Sequence, residues 1–226
     1  MDQRLIALGD SITLGHWDES GGWIAHLRRN TDARVIATAR GHYATVYNLG
    51  ISSNTSRHVL GRYRSEVDAR HDQGEQTELF IVLAVGINDS AMDTKTKRHL
   101  VAPESYEANM KALAALAAQD AERRVLFVGP TPVDEPNTTP VEHRPREYRL
   151  KFIEEYNEIA RRTAQDAGVR FADLLSWMQP HDGHWHEWDG VHLNAGAHQH
   201  VAELIEAELS AMGWSSAPVE AGEQQI

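Results

Sequence analysis

The sequence contains no cysteine. A disulfide framework, a thiol nucleophile and a thiolate metal cage are therefore excluded. It also lacks any long apolar run. Near the N-terminus only Leu5-Ile6-Ala7-Leu8 precede Gly9 and Asp10, too few for a signal-peptide core or a membrane span, so the chain reads as cytoplasmic with no membrane insertion. An excess of positive charge is missing as well: 22 basic side chains stand against 33 acidic ones, a net charge of −11. Duplex nucleic acid and anionic membranes demand clustered Lys and Arg, so neither is expected as a partner. No internal repeat, no domain linker and no G-x-S-x-G elbow occurs, the last of which sets aside the ordinary α/β-hydrolase pattern.

What is present is an alternation of short apolar runs with longer amphipathic stretches. Residues 5–8, 46–49, 79–85, 125–128 and 169–175 read as strands, and the run Leu79 to Val85 is apolar at every position. A strand covered on both faces has that composition and belongs to a parallel sheet between helices. Helical spacing is seen over 23–29, 103–119, 145–167 and from Asn194 to Met212, with Gly168 and Gly213 as stops. The expected fold is a three-layer α/β/α sandwich with a flavodoxin-like parallel sheet of about five strands. With 226 residues it forms one domain, residues 1–214, followed by a polar, aperiodic tail, 215–226, expected to be disordered. Two irregular stretches after strands, 129–145 with five of the eight prolines and 178–194 rich in His, Trp, Asp and Gly, read as rims of a site.

Chemistry-bearing residues fall where those strands end. Gly9-Asp10-Ser11-Ile12 follows the first strand. Ser11 there either serves, like Asp10, as a helix cap or is a nucleophile beside ready-made backbone donors. Asp189-Gly190-Val191-His192 precedes the last helix, and its three-residue spacing lets the carboxylate reach the imidazole Nδ1, leaving Nε2 to accept a proton. Taken alone, such a pair in a histidine-rich loop is also compatible with chance. Gly50 after the second strand and Asn88 in Gly86-Ile87-Asn88-Asp89 after the third offer a backbone N–H and a side-chain amide. With the N–H of Ser11 they could form a three-donor oxyanion hole, or they could be a turn glycine and a cap.

These segments, in this order across residues 9–192, resemble the blocks of the SGNH/GDSL hydrolase superfamily. The resemblance implies a serine esterase on the flavodoxin-like sandwich, acting on small or medium acyl esters through an acyl-serine intermediate and needing no cofactor. Ser11 would be the nucleophile, His192 the base and then acid, Asp189 its orienting partner, and Ser11 N–H, Gly50 N–H and the Asn88 amide the oxyanion donors. The second block departs from the family at Ser53-Asn54, where many relatives carry a further glycine, acid or threonine.

Asp10, Trp17, Trp185 and Trp188 are candidate pocket residues, the indoles being suited to an acyl or sugar-binding cleft and equally to packing loops down. Trp23 reads as core. Six of the 13 histidines lie between 181 and 200. With Asp182, Glu187 and Asp189 they make a metal-dependent hydrolase one alternative, although no H-E-x-x-H spacing supports it and His198 and His200 read as solvated on the last helix. A non-catalytic sugar- or acyl-binding module on the same fold is the other.

Overall fold

A computed structural model describes residues 2–38, 41, 43–71, 77–179 and 184–215. The tail beyond Ser215, together with His181 and Asp182, lies outside the described residues. Ser215 itself, expected in the tail, donates its N–H to Gln3 Oε1 at 3.1 Å, and Gln3 Nε2 donates to Gly213 O at 2.8 Å.

In chain order the elements are β1 (Asp2–Gly9), α1 (Ser11–Leu14), α2 (Gly22–Ala37), β2 (Ala44–Gly50), α3 (Ser56–Asp68), β3 (Thr77–Ala84), α4 (Ile87–Ser90), β4 (Met92–Asp93), α5 (Pro103–Ala121), β5 (Val125–Val128), α6 (Glu135–Thr138), β6 (Arg146–Glu147), α7 (Leu150–Ala167), β7 (Arg170–Ala172), α8 (Leu174–Met178) and α9 (Ala195–Ala211). Five strands form one parallel sheet, as expected, and their order, β2-β1-β3-β5-β7, which the sequence does not disclose, is the flavodoxin-like one. β4 and β6 form a separate antiparallel pair at the rim.

Side chains alternate across the sheet as the pleat requires. Leu5, Ala7, Phe80, Val82, Leu126 and Val128 face α2 and α9, whereas Ile6, Leu8, Leu79, Ile81, Leu83 and Phe127 face α3, α5 and α7. Burying each large member contributes about 1.5–3 kcal/mol, so the doubly covered β3 anchors both layers. Trp23 is core, as expected. Among the described residues no helix is long and apolar enough to cross a membrane.

Two expected elements differ. The run 169–175 is a strand only to Ala172, because Asp173 turns its carboxylate back to accept the N–H of Ser176 at 3.1 Å and so caps α8. The helix expected from Pro145 begins at Leu150, since Arg146 and Glu147 pair with Asp93 and Met92.

The strands end flush. Gly9 is in register with Gly50 on one side and Ala84 on the other. The order of the sheet reverses at β1, so the crevice outside the ends of β1 and β3 is the switch point where such sheets bind ligands.

Candidate active site

β1 delivers Ser11. Asp10 Oδ1 accepts the N–H of Ile12 at 2.9 Å and caps α1, which places Ser11 as its first residue. The N–H of a first helical residue has no partner within the helix. Asp10 is buried, and desolvation, opposed by its hydrogen bond from Ile12, pushes its carboxyl up to about 7.

β3 delivers Asn88 on α4. Its neighbour Asp89, fully buried, accepts the N–H of Ser56 on both oxygens at 3.0 Å and the Ser56 hydroxyl at 2.5 Å. Burial pushes Asp89 up to about 6 against those bonds. The junction locks α4 to the start of α3, and Asn88 Nδ2 donates to Asn54 O at 3.1 Å.

The loop before α9 delivers Asp189 and His192. It is pinned to the Pro-rich rim twice: His186 Nε2 donates to Pro132 O at 2.9 Å, and Asp134 N–H donates to Gly190 O at 2.8 Å. Gly190 has φ +71, and a Cβ there would meet Asp134 O at 2.8 Å, so only glycine permits that contact.

These pieces converge. Ser11 Oγ lies 2.8 Å from His192 Nε2, and His192 Nδ1 lies 2.6 Å from Asp189 Oδ2. Burial pushes the Asp189 carboxyl up, but the His192 ring and the N–H groups of His192 and Val191 outweigh it together, and the group is held below its ordinary value. An ionised carboxylate only accepts, so Nδ1 carries the ring proton and Nε2 accepts the Ser11 O–H. A hydroxyl so placed can lose its proton to the imidazole as it attacks a carbonyl.

Beside Ser11 and His192 opens a cavity of about 130 Å³. Its walls include Ser53, Asn88, Tyr148, Trp17 and Trp188. Trp17 and Trp188 stack with centroids 5.0 Å apart, and the Trp17 ring lies 4.6 Å from that of His192. Trp17 adopts φ 68, in the loop where Asp18 accepts the N–H groups of Ser20 and Gly22.

Several sequence expectations are corrected. Gly50 does not line the cavity; its N–H is donated to Asn48 Oδ1 at 2.9 Å, and a Cβ there would strike Leu14 N at 2.2 Å, so glycine is needed for packing against α1. Asp10 faces a smaller neighbouring cavity because its side chain turns inward to cap α1. Trp185 packs on Trp177 and donates Nε1–H to Met178 O at 3.1 Å, away from the site. His198 is fully buried between α9 and α2 rather than solvated, and desolvation pushes it down to about 4. The remaining described histidines of the cluster scatter, and among the described residues no three groups gather as metal ligands would.

Other contributors went unread in the sequence. Ser53 has φ 64, the left-handed region that glycine usually fills; the departure of the second block at Ser53-Asn54 was the available signal. Tyr148 Oη donates to Asn88 Oδ1 at 3.1 Å. Arg62 donates to Gly9 O at 3.1 Å, Leu49 O at 2.6 Å and Asn54 Oδ1 at 3.0 Å, tying three strand-end segments together. No sequence spacing marks either of these.

Comparison with known proteins agrees with this architecture. An isoamyl acetate-hydrolyzing esterase 1 homolog of Bos taurus is 26% identical over 220 residues, covering 92% of this chain and 84% of that protein. Among solved structures, a lipase/acylhydrolase from Enterococcus faecalis superposes with a TM-score of 0.72 at 21% identity, covering 93% of this chain and 96% of its own. An acetylxylan esterase from Geobacillus stearothermophilus gives 0.70 at 19% identity, with 95% of each chain covered. At those identities the two structures speak for the fold. The model of one family, the GDSL-like lipase/acylhydrolases, matches residues 7–200, which is most of the chain, and the protein belongs to that family of ester hydrolases.

Proposed function

We propose that the protein hydrolyses carboxylic esters of short acyl groups through an acyl-enzyme at Ser11. The observation that carries this reading is the unbroken run from Ser11 Oγ through the His192 ring to the Asp189 carboxylate, 2.8 Å and 2.6 Å long at its two contacts. Ser11 Oγ attacks the acyl carbon while His192 Nε2 takes its proton, and Asp189 stabilises the imidazolium that results. The carbonyl oxygen, now an anion, is held by the N–H of Ser11, the amide of Asn88 and a second backbone N–H. For that second donor Ser53 takes the place expected for Gly50, since Ser53 lines the cavity and the Gly50 N–H is committed to Asn48. Collapse expels the alcohol, which receives its proton from His192, and water then repeats the sequence on the acyl-serine.

Cavity size supports a short acyl chain. A space of about 130 Å³ is close to the roughly 150 Å³ that admits a benzene-sized guest, and matches an acetyl to butyryl group. The names of the acetate-hydrolysing relatives point the same way.

The test is intact-mass labelling by an organophosphonate combined with hydrolysis of 4-nitrophenyl acetate. One adduct is expected in wild type and none in Ser11→Ala, whose turnover should fall by a factor on the order of a million. Full activity in Ser11→Ala, together with loss of activity in a chelator, would instead favour metal-dependent hydrolysis.

A further inference from the structure

Two arginines line the same cavity as Ser11 and His192: Arg144 and Arg146. They sit on a built turn. Val141 N–H donates to Arg146 O at 2.9 Å, Thr94 N–H donates to Pro145 O at 3.0 Å, and β6 is paired with β4. Arg146 is partly buried and Arg144 exposed. In a chain with 33 acidic side chains, carboxylates are plentiful, and several partly buried arginines elsewhere are matched: Arg62 and Arg70 with Glu66, Arg149 with Glu147. Among the described residues neither Arg144 nor Arg146 has a carboxylate within ion-pair distance. Arg146 instead donates to Tyr148, and the charge of Arg144 is felt at His16 and Tyr148.

The two acids on the cavity wall do not neutralise this pair. Asp189 is consumed by His192 and two backbone N–H groups. Glu142 points outward, its side chain 75% exposed and 3.0 Å from His143 Nε2. Two guanidiniums without counterions therefore border the space a substrate must fill. Guanidinium forks bind planar oxyanions by paired hydrogen bonds, and a carboxylate is the simplest such group. The net charge of −11 would otherwise discourage anions from approaching.

We propose that Arg144 and Arg146 form a subsite for an oxyanionic group carried by the ester itself, so that the preferred substrates are short-chain esters bearing a carboxylate. This rests on the ester-hydrolase reading of the same cavity and adds the substrate's charge to it. The anion could reside on the acyl or the alcohol side, and matched probes separate the two.

The experiment measures kcat/KM for 4-nitrophenyl hydrogen succinate against 4-nitrophenyl butyrate, and for O-acetyl-lactate against O-acetyl-lactamide. In at least one pair the anionic probe should win by about tenfold, the scale of one charge-assisted hydrogen bond in a half-exposed site. In Arg144→Gln and in Arg146→Gln that ratio should collapse toward one. Arg161→Gln, on the exposed face of α7 beside Glu158, should leave ratio and rates unchanged. Turnover of the neutral probes with no anion preference, or a preference that survives Arg144→Gln, overturns the subsite while leaving the esterase intact. No turnover of any probe would sink both.

Discussion

The side-chain amide of Asn88 is fixed by neighbours on opposite sides. Asn54 O takes one Nδ2 proton and Tyr148 Oη donates to Oδ1, both at 3.1 Å, so the amide cannot flip and its second Nδ2 proton is left for the cavity. Asn88→Ala should therefore remove an oxyanion donor and cost about 3–4 kcal/mol of barrier, a few hundred-fold in kcat. Tyr148→Phe should lower kcat with little change in KM, because Tyr148 acts through Asn88. In a double-mutant cycle the two losses should not add; additive losses would show that Tyr148 acts elsewhere. Ser53 invites a different substitution. If its backbone N–H is the donor, Ser53→Gly keeps activity and relieves a left-handed φ, adding about 1 kcal/mol to the urea-unfolding free energy. A large loss of activity in Ser53→Gly would assign the work to its hydroxyl.

Between elements, Arg62 of α3 does what no strand does alone. Its guanidinium reaches the carbonyls ending β1 and β2 and the side chain of Asn54, the residue after Ser53. A lysine keeps the charge but has no planar fork to span these acceptors. Arg62→Lys should fold, as judged by an unchanged far-ultraviolet circular-dichroism spectrum, yet lose up to about 100-fold in kcat through misplacement of the donors. Unimpaired kcat would make Arg62 a purely structural tie. This level of organisation also marks the limit of what the sequence disclosed. The motifs of Ser11, Asn88, Asp189 and His192 were legible because each lies in a short local pattern, the first two just after strands of clear periodicity and the last two in the loop just before the periodic α9. Arg62, Tyr148 and Arg144 were not, because each reaches the site across the fold from a helix or turn whose own pattern is only amphipathic or irregular. Gly50 misled for a related reason: a glycine at a strand end looks the same whether it admits a ligand or the backbone of α1, and only packing distinguishes them.

For the molecule as a whole, two buried groups oppose one another as pH changes. Asp10 holds its proton up to about pH 7, whereas the unfolded chain releases it near 4, so its contribution to stability falls as pH rises through that window. His198 stays neutral down to about 4, whereas the unfolded chain binds a proton below roughly 6.5; its contribution rises with pH over most of the same window. Relative to wild type, Asp10→Asn, which still caps α1, should tilt stability upward with pH, and His198→Leu should tilt it downward. Among the described residues neither ring nitrogen of His198 has a hydrogen-bond partner, so the leucine should also add about 1–3 kcal/mol near pH 5. Urea-unfolding free energies at about pH 4.5 and 6.5 test all three statements. Tilts of the same sign in both variants would show that these are not the groups responsible.

Trp17 and Trp188, stacked against each other with the Trp17 ring beside that of His192, are also coupled chromophores. Their excited states should split, adding a far-ultraviolet dichroic couplet to the helix spectrum, and a ligand that parts or covers the rings should change it. The protein thus carries an optical reporter of its own occupancy, readable with unlabelled enzyme and with substrates that release no colour, and lost in Trp188→Leu.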